Sequence, residues 1–160
     1  MLKIAVLVSG GGTNLQALID AQNAGKISNG IISAVISSKE EAFALERAAR
    51  AGIEGYIIPR SQYEDRSAYT KAILEKLKEL SIDLVVLAGF MFVLGDEIIC
   101  EYKNRIINVH PALIPSFCGD GYYGIKVHQR ALEKGVKITG ATVHFVNEET
   151  DDVVLIDLDG

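Results

Sequence analysis

An amide donor, Asn108, and a titratable imidazole, His110, stand close together at the end of an apolar run, in the segment Asn-Val-His-Pro. Side chains two residues apart on a β-strand leave the same face, so the amide and the imidazole should point together. Pro111 has no backbone N–H and should end the strand. The pattern predicts a reactive pair at the carboxyl end of a strand, where open α/β sheets usually place their chemistry. A buried, mutually satisfied Asn–His pair explains the same residues equally well.

A glycine-rich segment, residues 9–15 (Ser-Gly-Gly-Gly-Thr-Asn-Leu), follows the first apolar run. Glycines let the backbone approach an anion, and the N–H groups at a helix N-terminus favour negative charge. Leu15 stands where a dinucleotide fingerprint needs its third glycine, and no Gly-Lys-Ser/Thr of a Walker loop follows. The segment therefore predicts a site for one phosphate at Gly12, Thr13 and Asn14. The alternative is a tight strand-to-helix turn with Thr13 as N-cap, although three consecutive glycines exceed what a cap requires.

An acidic segment, residues 147–152, could supply a carboxylate to an imidazole on a neighbouring strand. Such a carboxylate would orient the ring and raise its pKa. The residues alone do not choose among four candidates: Glu148, Glu149, Asp151 and Asp152. A solvated acidic loop is the alternative. His144, inside an apolar run, and His128, on a predicted helix face, are expected to be structural, and no group of residues has the spacing of a metal site.

Alternating apolar runs and amphipathic stretches must position these residues. Strands are predicted at residues 4–9, 31–37, 56–59, 84–90, 106–110 and 141–146. Helices are predicted at residues 14–22, 40–51, 67–80 and 126–134. Several strands lack in–out alternation, which is typical of burial on both faces of a parallel sheet. The order predicts an α/β fold with a doubly wound, mostly parallel sheet between two helical layers, in one domain over residues 1–160.

Three further patterns complete the expected organisation. Glycines just past three predicted helices are typical of helix C-termini: Gly25, Gly52 and Gly135. The glycine- and tyrosine-containing stretch 115–124 should be a loop beside the Asn–His strand. The last residues, 153–160, have the pattern of another strand, on which the sequence ends.

Composition narrows the class of protein. The chain has 160 residues, 49% of them hydrophobic, and a net charge of −5 without large blocks of one sign. This balance argues against nucleic acid or an anionic membrane as the main partner. Cys100 and Cys118 form neither a disulfide framework nor a zinc pattern, and the apolar start is too short for a signal peptide. A cytoplasmic protein is expected.

Together these residues resemble phosphoribosylglycinamide formyltransferases, the folate-dependent enzymes of purine biosynthesis. The resemblance rests on four segments, residues 9–16, 87–91, 107–111 and 142–146. It implies a Rossmann-like sheet and transfer of a formyl group from 10-formyltetrahydrofolate to the amine of glycinamide ribonucleotide. It further implies small-molecule partners, no nucleic acid, no membrane, no metal, and a monomer or homodimer.

The resemblance also implies roles for individual residues. The catalytic set would be Asn108, His110 and Asp151. The phosphate of the nucleotide would bind to Gly12, Thr13 and Asn14. The folate site would include Arg66, Phe90 and Met91. Phe92 departs from the family's pattern, in which a basic residue usually follows the Phe-Met pair.

The end of the sequence also departs from the family, because Asp152-Val153-Val154 replace a Gly-Pro turn and the usual C-terminal segment is missing. The expectation is therefore a truncated or altered formyltransferase. The alternatives are an inactive nucleotide- or folate-binding remnant of that enzyme, or another hydrolase or transferase that uses formyl-folate.

Overall fold

Five parallel strands form most of the sheet in the computed structural model, which describes residues 1–118, 121–122, 125–146 and 154–155. The strands are β1 (Leu2–Val8), β2 (Gly30–Ser37), β3 (Glu54–Ile57), β4 (Leu84–Leu87), β5 (Ile106–His110), β6 (Thr142–Phe145) and β7 (Val154–Leu155). Their order is β3-β2-β1-β4-β5-β6-β7, and β6 and β7 each run antiparallel to the preceding strand. The predicted doubly wound, mostly parallel sheet is thereby confirmed.

The structure describes five helices, the first four of which pack into the apolar clusters on the two faces of the sheet. They are α1 (Thr13–Asn23), α2 (Phe43–Arg50), α3 (Arg66–Glu79), α4 (Asp96–Glu101) and α5 (Ile125–Glu133), with a 3-10 turn at Arg60–Gln62. Gly25, Gly52 and Gly135 have the positive φ angles expected after helix C-termini. Helix α4 was not predicted, because six residues are too few to show a helical period.

Strand β1 explains why the apolar runs lack alternation. Ala5 and Leu7 pack into the cluster that contains α3 and α4, whereas Val6 and Val8 pack into the cluster that contains α1 and α2. Both faces of the central strand are therefore buried, as a three-layer α/β fold requires. In the described part of the chain, no helix is long and apolar enough to cross a membrane.

Most strand boundaries differ from the prediction by one to three residues. Strand β4 ends at Leu87, three residues before the predicted end, so the segment up to Phe90 leaves the sheet edge as a loop. Strand β3 begins at Glu54, two residues early, and its pairing with β2 decides this boundary. Of the strand expected over residues 153–160, the structure describes β7 alone.

The strand order places the ends of β1 and β4 at a topological switch point. After β1 the chain adds β2 and β3 on one side, and after β3 it returns to add β4 and β5 on the other. Crevices at the carboxyl ends of such strands are where open α/β sheets bind ligands. The glycine-rich segment follows β1 and the Phe90-Met91 pair follows β4, so both lie at this edge.

Candidate active site

Asn108 and His110 occupy the carboxyl end of β5, which ends at His110 just before Pro111. Both side chains leave one face of the strand, as their spacing predicts. In the antiparallel register, Asn108 lies opposite His144 and His110 lies opposite Thr142. The sheet thus brings the two residues together with partners from β6.

The Asn108 amide is held by His144. Asn108 Nδ2 and His144 Nε2 are 3.1 Å apart, and His144 Nδ1 lies 3.1 Å from the carbonyl oxygen of Phe145. A carbonyl can only accept, so Nδ1 carries a proton, and Nε2 of a neutral ring accepts from the amide. One of the two amide hydrogens orients Asn108, which leaves the second hydrogen available for a ligand. His144 therefore has the structural role expected of it, although its contact is with a candidate catalytic residue.

The His110 ring is held by the loop that follows β5. Its Nε2 lies 2.9 Å from the carbonyl oxygen of Phe117, so Nε2 carries a proton and donates to that carbonyl. Phe117 has a φ of +53°, an uncommon conformation for a residue with a side chain. The loop carbonyl accordingly holds the Nε2 side of the imidazole, and this contact sets the orientation of the ring at the sheet edge.

Thr142 connects the same loop to β6. Its hydroxyl donates to the carbonyl of Ala112 at 2.6 Å and accepts from the backbone N–H of Ile114 at 3.0 Å. The side chain is only 7% exposed, so both bonds are shielded from water. Thr142 thus holds the start of the loop that follows β5. The same loop carries the Phe117 carbonyl that accepts from His110.

The glycine-rich segment forms the turn between β1 and α1, and its three glycines differ in role. Gly12 has a φ of +73° and is the N-cap of α1, and a Cβ there would lie 2.7 Å from Ala44 Cβ. Gly10 and Gly11 are exposed, and a Cβ on either would meet nothing within 4 Å. Packing therefore requires a glycine at Gly12 alone, and the first two leave the backbone open to solvent.

Thr13 and Asn14 are exposed and form the first two residues of α1. The alternative reading of Thr13 as N-cap is wrong, because Gly12 holds that position and no side chain caps the helix. The N–H groups of the first turn point out of a helix and lack partners within it. Gly12, Thr13 and Asn14 thus place backbone donors at the sheet edge, on which an anion could bind.

Hydrogen bonds to the Ser9 hydroxyl join the ends of three strands. Ser9 Oγ lies 2.7 Å from Ser38 Oγ, which links the residues after β1 and β2. The backbone N–H of Met91 donates to Ser9 Oγ at 3.0 Å, which adds the segment after β4. The glycine-rich turn and the Phe90-Met91 segment are therefore neighbours.

An aromatic cluster joins the start of α3 to the Phe90-Met91 segment. Phe90 stacks on Tyr69 with ring centroids 6.4 Å apart, and Phe92 meets each of these rings edge-on at 5.9 Å. Arg66 is the exposed first residue of α3, one turn before Tyr69. Phe92 thus makes aromatic contacts with both Tyr69 and Phe90.

Met91 itself is 50% exposed, so the segment presents apolar surface to solvent beside the cluster. Near Arg66, the carboxylate of Glu97 accepts hydrogen bonds from its own backbone N–H and from Ser67, and these lower its pKa. The charge of Arg66 contributes to the same shift. This end of the site therefore combines an exposed guanidinium, an ionised carboxylate and an apolar surface.

Several candidate residues lie outside the described residues, namely the acidic set Glu148, Glu149, Asp151 and Asp152. Within the described residues, no group of three or more His, Cys, Asp or Glu is arranged to hold a metal ion. Sequence reasoning missed Thr142, which holds the loop after β5, and Arg47 of α2, whose Nε donates to the Gly11 carbonyl of the glycine-rich turn at 2.8 Å. Neither residue carries a local signal, because each acts across more than twenty residues of sequence.

Comparison with known proteins gives consistent matches. A family model described as formyl transferase matches residues 2–156. Phosphoribosylglycinamide formyltransferase of Escherichia coli is 42% identical over 150 residues, which cover 94% of this chain and 68% of that protein. The human trifunctional purine biosynthetic protein adenosine-3 is 44% identical over 149 residues, and this chain spans only 14% of its length.

The fold agrees with solved structures that carry related names. Glycinamide ribonucleotide transformylase 1 from Symbiobacterium toebii superposes with a TM-score of 0.89 at 41% identity, covering 98% of this chain and 71% of that one. Phosphoribosylglycinamide formyltransferase from Coxiella burnetii, solved in complex with CHES, gives a TM-score of 0.85 at 39% identity, covering 97% and 70%.

Proposed function

Since the chain belongs to the formyl transferase family, whose model matches residues 2–156, we propose that it transfers a formyl group from 10-formyltetrahydrofolate to the amine of glycinamide ribonucleotide. The relatives named for this reaction are the source of the substrate assignment. The reaction belongs to purine biosynthesis, and the folate is the one-carbon donor.

The observation that carries the proposal is the placement of Asn108 and His110 on one face at the carboxyl end of β5. The amide N–H of Asn108 and the second N–H of a protonated His110 can both donate there to a developing oxyanion. The two partners described above, His144 and the Phe117 carbonyl, hold these donors in place before any substrate binds. Such preorganisation is what oxyanion stabilisation requires.

In the proposed reaction, the substrate amine attacks the formyl carbon and forms a new C–N bond. The carbonyl oxygen becomes a tetrahedral oxyanion, which accepts from Asn108 Nδ2 and from a protonated His110 through Nδ1, because the hydrogen on Nε2 is donated to the Phe117 carbonyl. Collapse of this intermediate breaks the bond to N10 of the folate, and the proton lost by the amine passes to N10. We propose that Asp151 acts in this proton transfer, by keeping His110 protonated or by positioning a water molecule.

The remaining assignments concern binding. We propose that the backbone N–H groups at Gly12, Thr13 and Asn14 hold the nucleotide phosphate, supported by their position at the N-terminus of α1. The folate is proposed to bind along the Phe90-Met91 segment, with Arg66 near it. The exposed apolar surface of Met91 and the charge of Arg66 support this assignment.

Formyl transfer by this chain, with glycinamide ribonucleotide and 10-formyltetrahydrofolate, tests the proposal directly. We expect His110→Ala to lose transfer while it retains nucleotide binding, and Asn108→Ala to lower kcat by about 10²–10³-fold. His128→Ala is the matched control, because His128 is exposed on α5 and should leave turnover unchanged. Wild-type turnover in His110→Ala would exclude the assigned role. Absence of turnover in the folded wild-type chain would instead favour a binding remnant.

The wider assignments are also proposals. We propose that residues 1–160 form one formyltransferase domain, since the described strands share one sheet. We also propose small-molecule substrates, a cytoplasmic location and a monomeric or homodimeric state; the net charge of −5 and the two cysteines in the sequence support the first two.

A further inference from the structure

Arg47, on α2, forms hydrogen bonds to the glycine-rich turn and to α1. Its Nε donates to the carbonyl of Gly11 at 2.8 Å, and its Nη1 donates to Gln16 Oε1 at 3.1 Å. Gln16 lies on α1, directly after the turn. A single guanidinium therefore binds both the turn and the helix that the turn opens.

The backbone of α2 also holds the peptide between Gly10 and Gly11, which comes just before the one that Arg47 contacts. The N–H of Ala44 donates to the carbonyl of Gly10 at 3.1 Å. Ala44 also approaches Gly12 so closely that a Cβ at Gly12 would lie 2.8 Å from the Cα of Ala44. The carbonyls of Gly10 and Gly11 thus both face α2, each with its own donor.

The orientation of these carbonyls determines where the N–H groups point. In a trans peptide the C=O and the following N–H point in opposite directions. Because the carbonyls of Gly10 and Gly11 face α2, the N–H groups of Gly11 and Gly12 turn away from it. The carbonyl of Gly12 accepts from the N–H of Gln16 at 2.9 Å, so the N–H of Thr13 points out of the start of α1.

The turn is exposed at Gly10 and Gly11. A Cβ on either residue would meet no atom within 4 Å. Consecutive N–H groups that face open space at a helix N-terminus are the donors of an anion site. The contact with Arg47 also keeps a positive charge within hydrogen-bond distance of this turn.

We propose that Arg47 is a positioning residue for the phosphate of the nucleotide substrate, acting through the Gly11–Gly12 peptide. It holds this peptide in the orientation that presents the Gly12 N–H, and its charge favours a dianion over a neutral group. This inference rests on the proposed function. It adds Arg47, which contacts the glycine-rich turn, to the phosphate-binding residues Gly12, Thr13 and Asn14 proposed above.

Arg50 provides a matched control on the same helix. Both guanidiniums lie over the ring of Phe43, at 5.0 Å for Arg47 and 5.6 Å for Arg50. Arg50 pairs with Glu46 at 3.3 Å, whereas Arg47 binds the turn. Arg50→Met therefore removes the same charge and the same kind of aromatic contact, and leaves the glycine-rich turn intact.

The first experiment measures KM for each substrate in the wild type, Arg47→Met, Arg47→Lys and Arg50→Met. Loss of a hydrogen bond to a charged group typically weakens binding about tenfold or more. We expect Arg47→Met to raise KM for the nucleotide by about tenfold or more, with KM for the folate changed less than about threefold. Arg47→Lys should recover part of this loss, because it keeps the charge but not the planar fork. Arg50→Met should behave as the wild type.

The second experiment uses ribose 5-phosphate and ribose as binding probes, so its result does not depend on turnover. The wild type and Arg50→Met should bind ribose 5-phosphate, and Arg47→Met should bind it about tenfold more weakly, with folding checked by circular dichroism. An unchanged affinity in Arg47→Met, or an equal loss in Arg50→Met, would overturn the proposal. If the wild type binds ribose 5-phosphate but transfers no formyl group, the proposed reaction fails while the role of Arg47 is still decided by this assay.

Discussion

Replacement of Gly12 by alanine should destabilise the protein strongly, because two features of this position exclude a side chain. The first is its φ of +73°, in the left-handed region that L-residues rarely adopt. The second is the approach of α2, which would place a new Cβ 2.7 Å from Ala44 Cβ and 3.4 Å from Arg47 Cδ. Real Cβ atoms do not come this close, so α2 or the turn must move.

The two costs can be estimated separately. The left-handed conformation costs a residue with a Cβ about 1–2 kcal/mol. Overpacking of a closely packed position costs about 1–3 kcal/mol when a neighbouring backbone must shift. We therefore expect Gly12→Ala to lower the free energy of unfolding by about 2–5 kcal/mol. For a chain of this size, a loss of about 3 kcal/mol corresponds to a fall in Tm of about 6–12 °C.

Urea denaturation followed by circular dichroism measures this loss, and Gly11→Ala is the control. Gly11 has no positive φ, and a Cβ there would meet no atom within 4 Å, so we expect a stability within about 1 kcal/mol of the wild type. The same Gly11→Ala variant should bind ribose 5-phosphate more weakly, because the new methyl group occupies the open side of the turn. A Gly12→Ala variant as stable as Gly11→Ala would refute the packing argument.

Three further substitutions test other parts of the structure. Thr142→Val removes the 2.6 Å bond to Ala112 and should cost about 1–3 kcal/mol in urea denaturation and lower kcat, whereas Thr142→Ser should stay near the wild type. Asp65→Ala removes the N-cap of α3 and should cost about 1 kcal/mol, whereas Asp65→Asn should keep the cap. Tyr102→Phe removes the bond to the Ile82 carbonyl and should cost about 1 kcal/mol near neutral pH. Because burial raises the pKa of Tyr102, the wild type should lose this advantage as the pH rises beyond the ordinary phenol value of 10.0, so the two unfolding free energies should converge.

Local sequence determined which segments of this protein form strands and helices. It also determined where the strands end that carry the residues of the site. The spacing of Asn108 and His110 and the proline after them predicted a strand end with both side chains on one face, because strand geometry repeats every two residues. The apolar runs predicted a parallel sheet buried on both sides, because few other folds bury whole strands. The glycine-rich segment predicted a turn into a helix, although local sequence did not show which glycine has the positive φ.

Tertiary structure decided which residues hold the site together. Asn108 meets His144, and Gly11 meets Arg47, each across 36 residues of sequence. Such partners depend on strand order and on the packing of helices against the sheet, and neither is encoded in a local period. The same holds for Gly12, which must be glycine because α2 packs against it. The sequence by itself thus determined the reactive groups and the strand ends that carry them, and only the packing of distant elements decided their orientation.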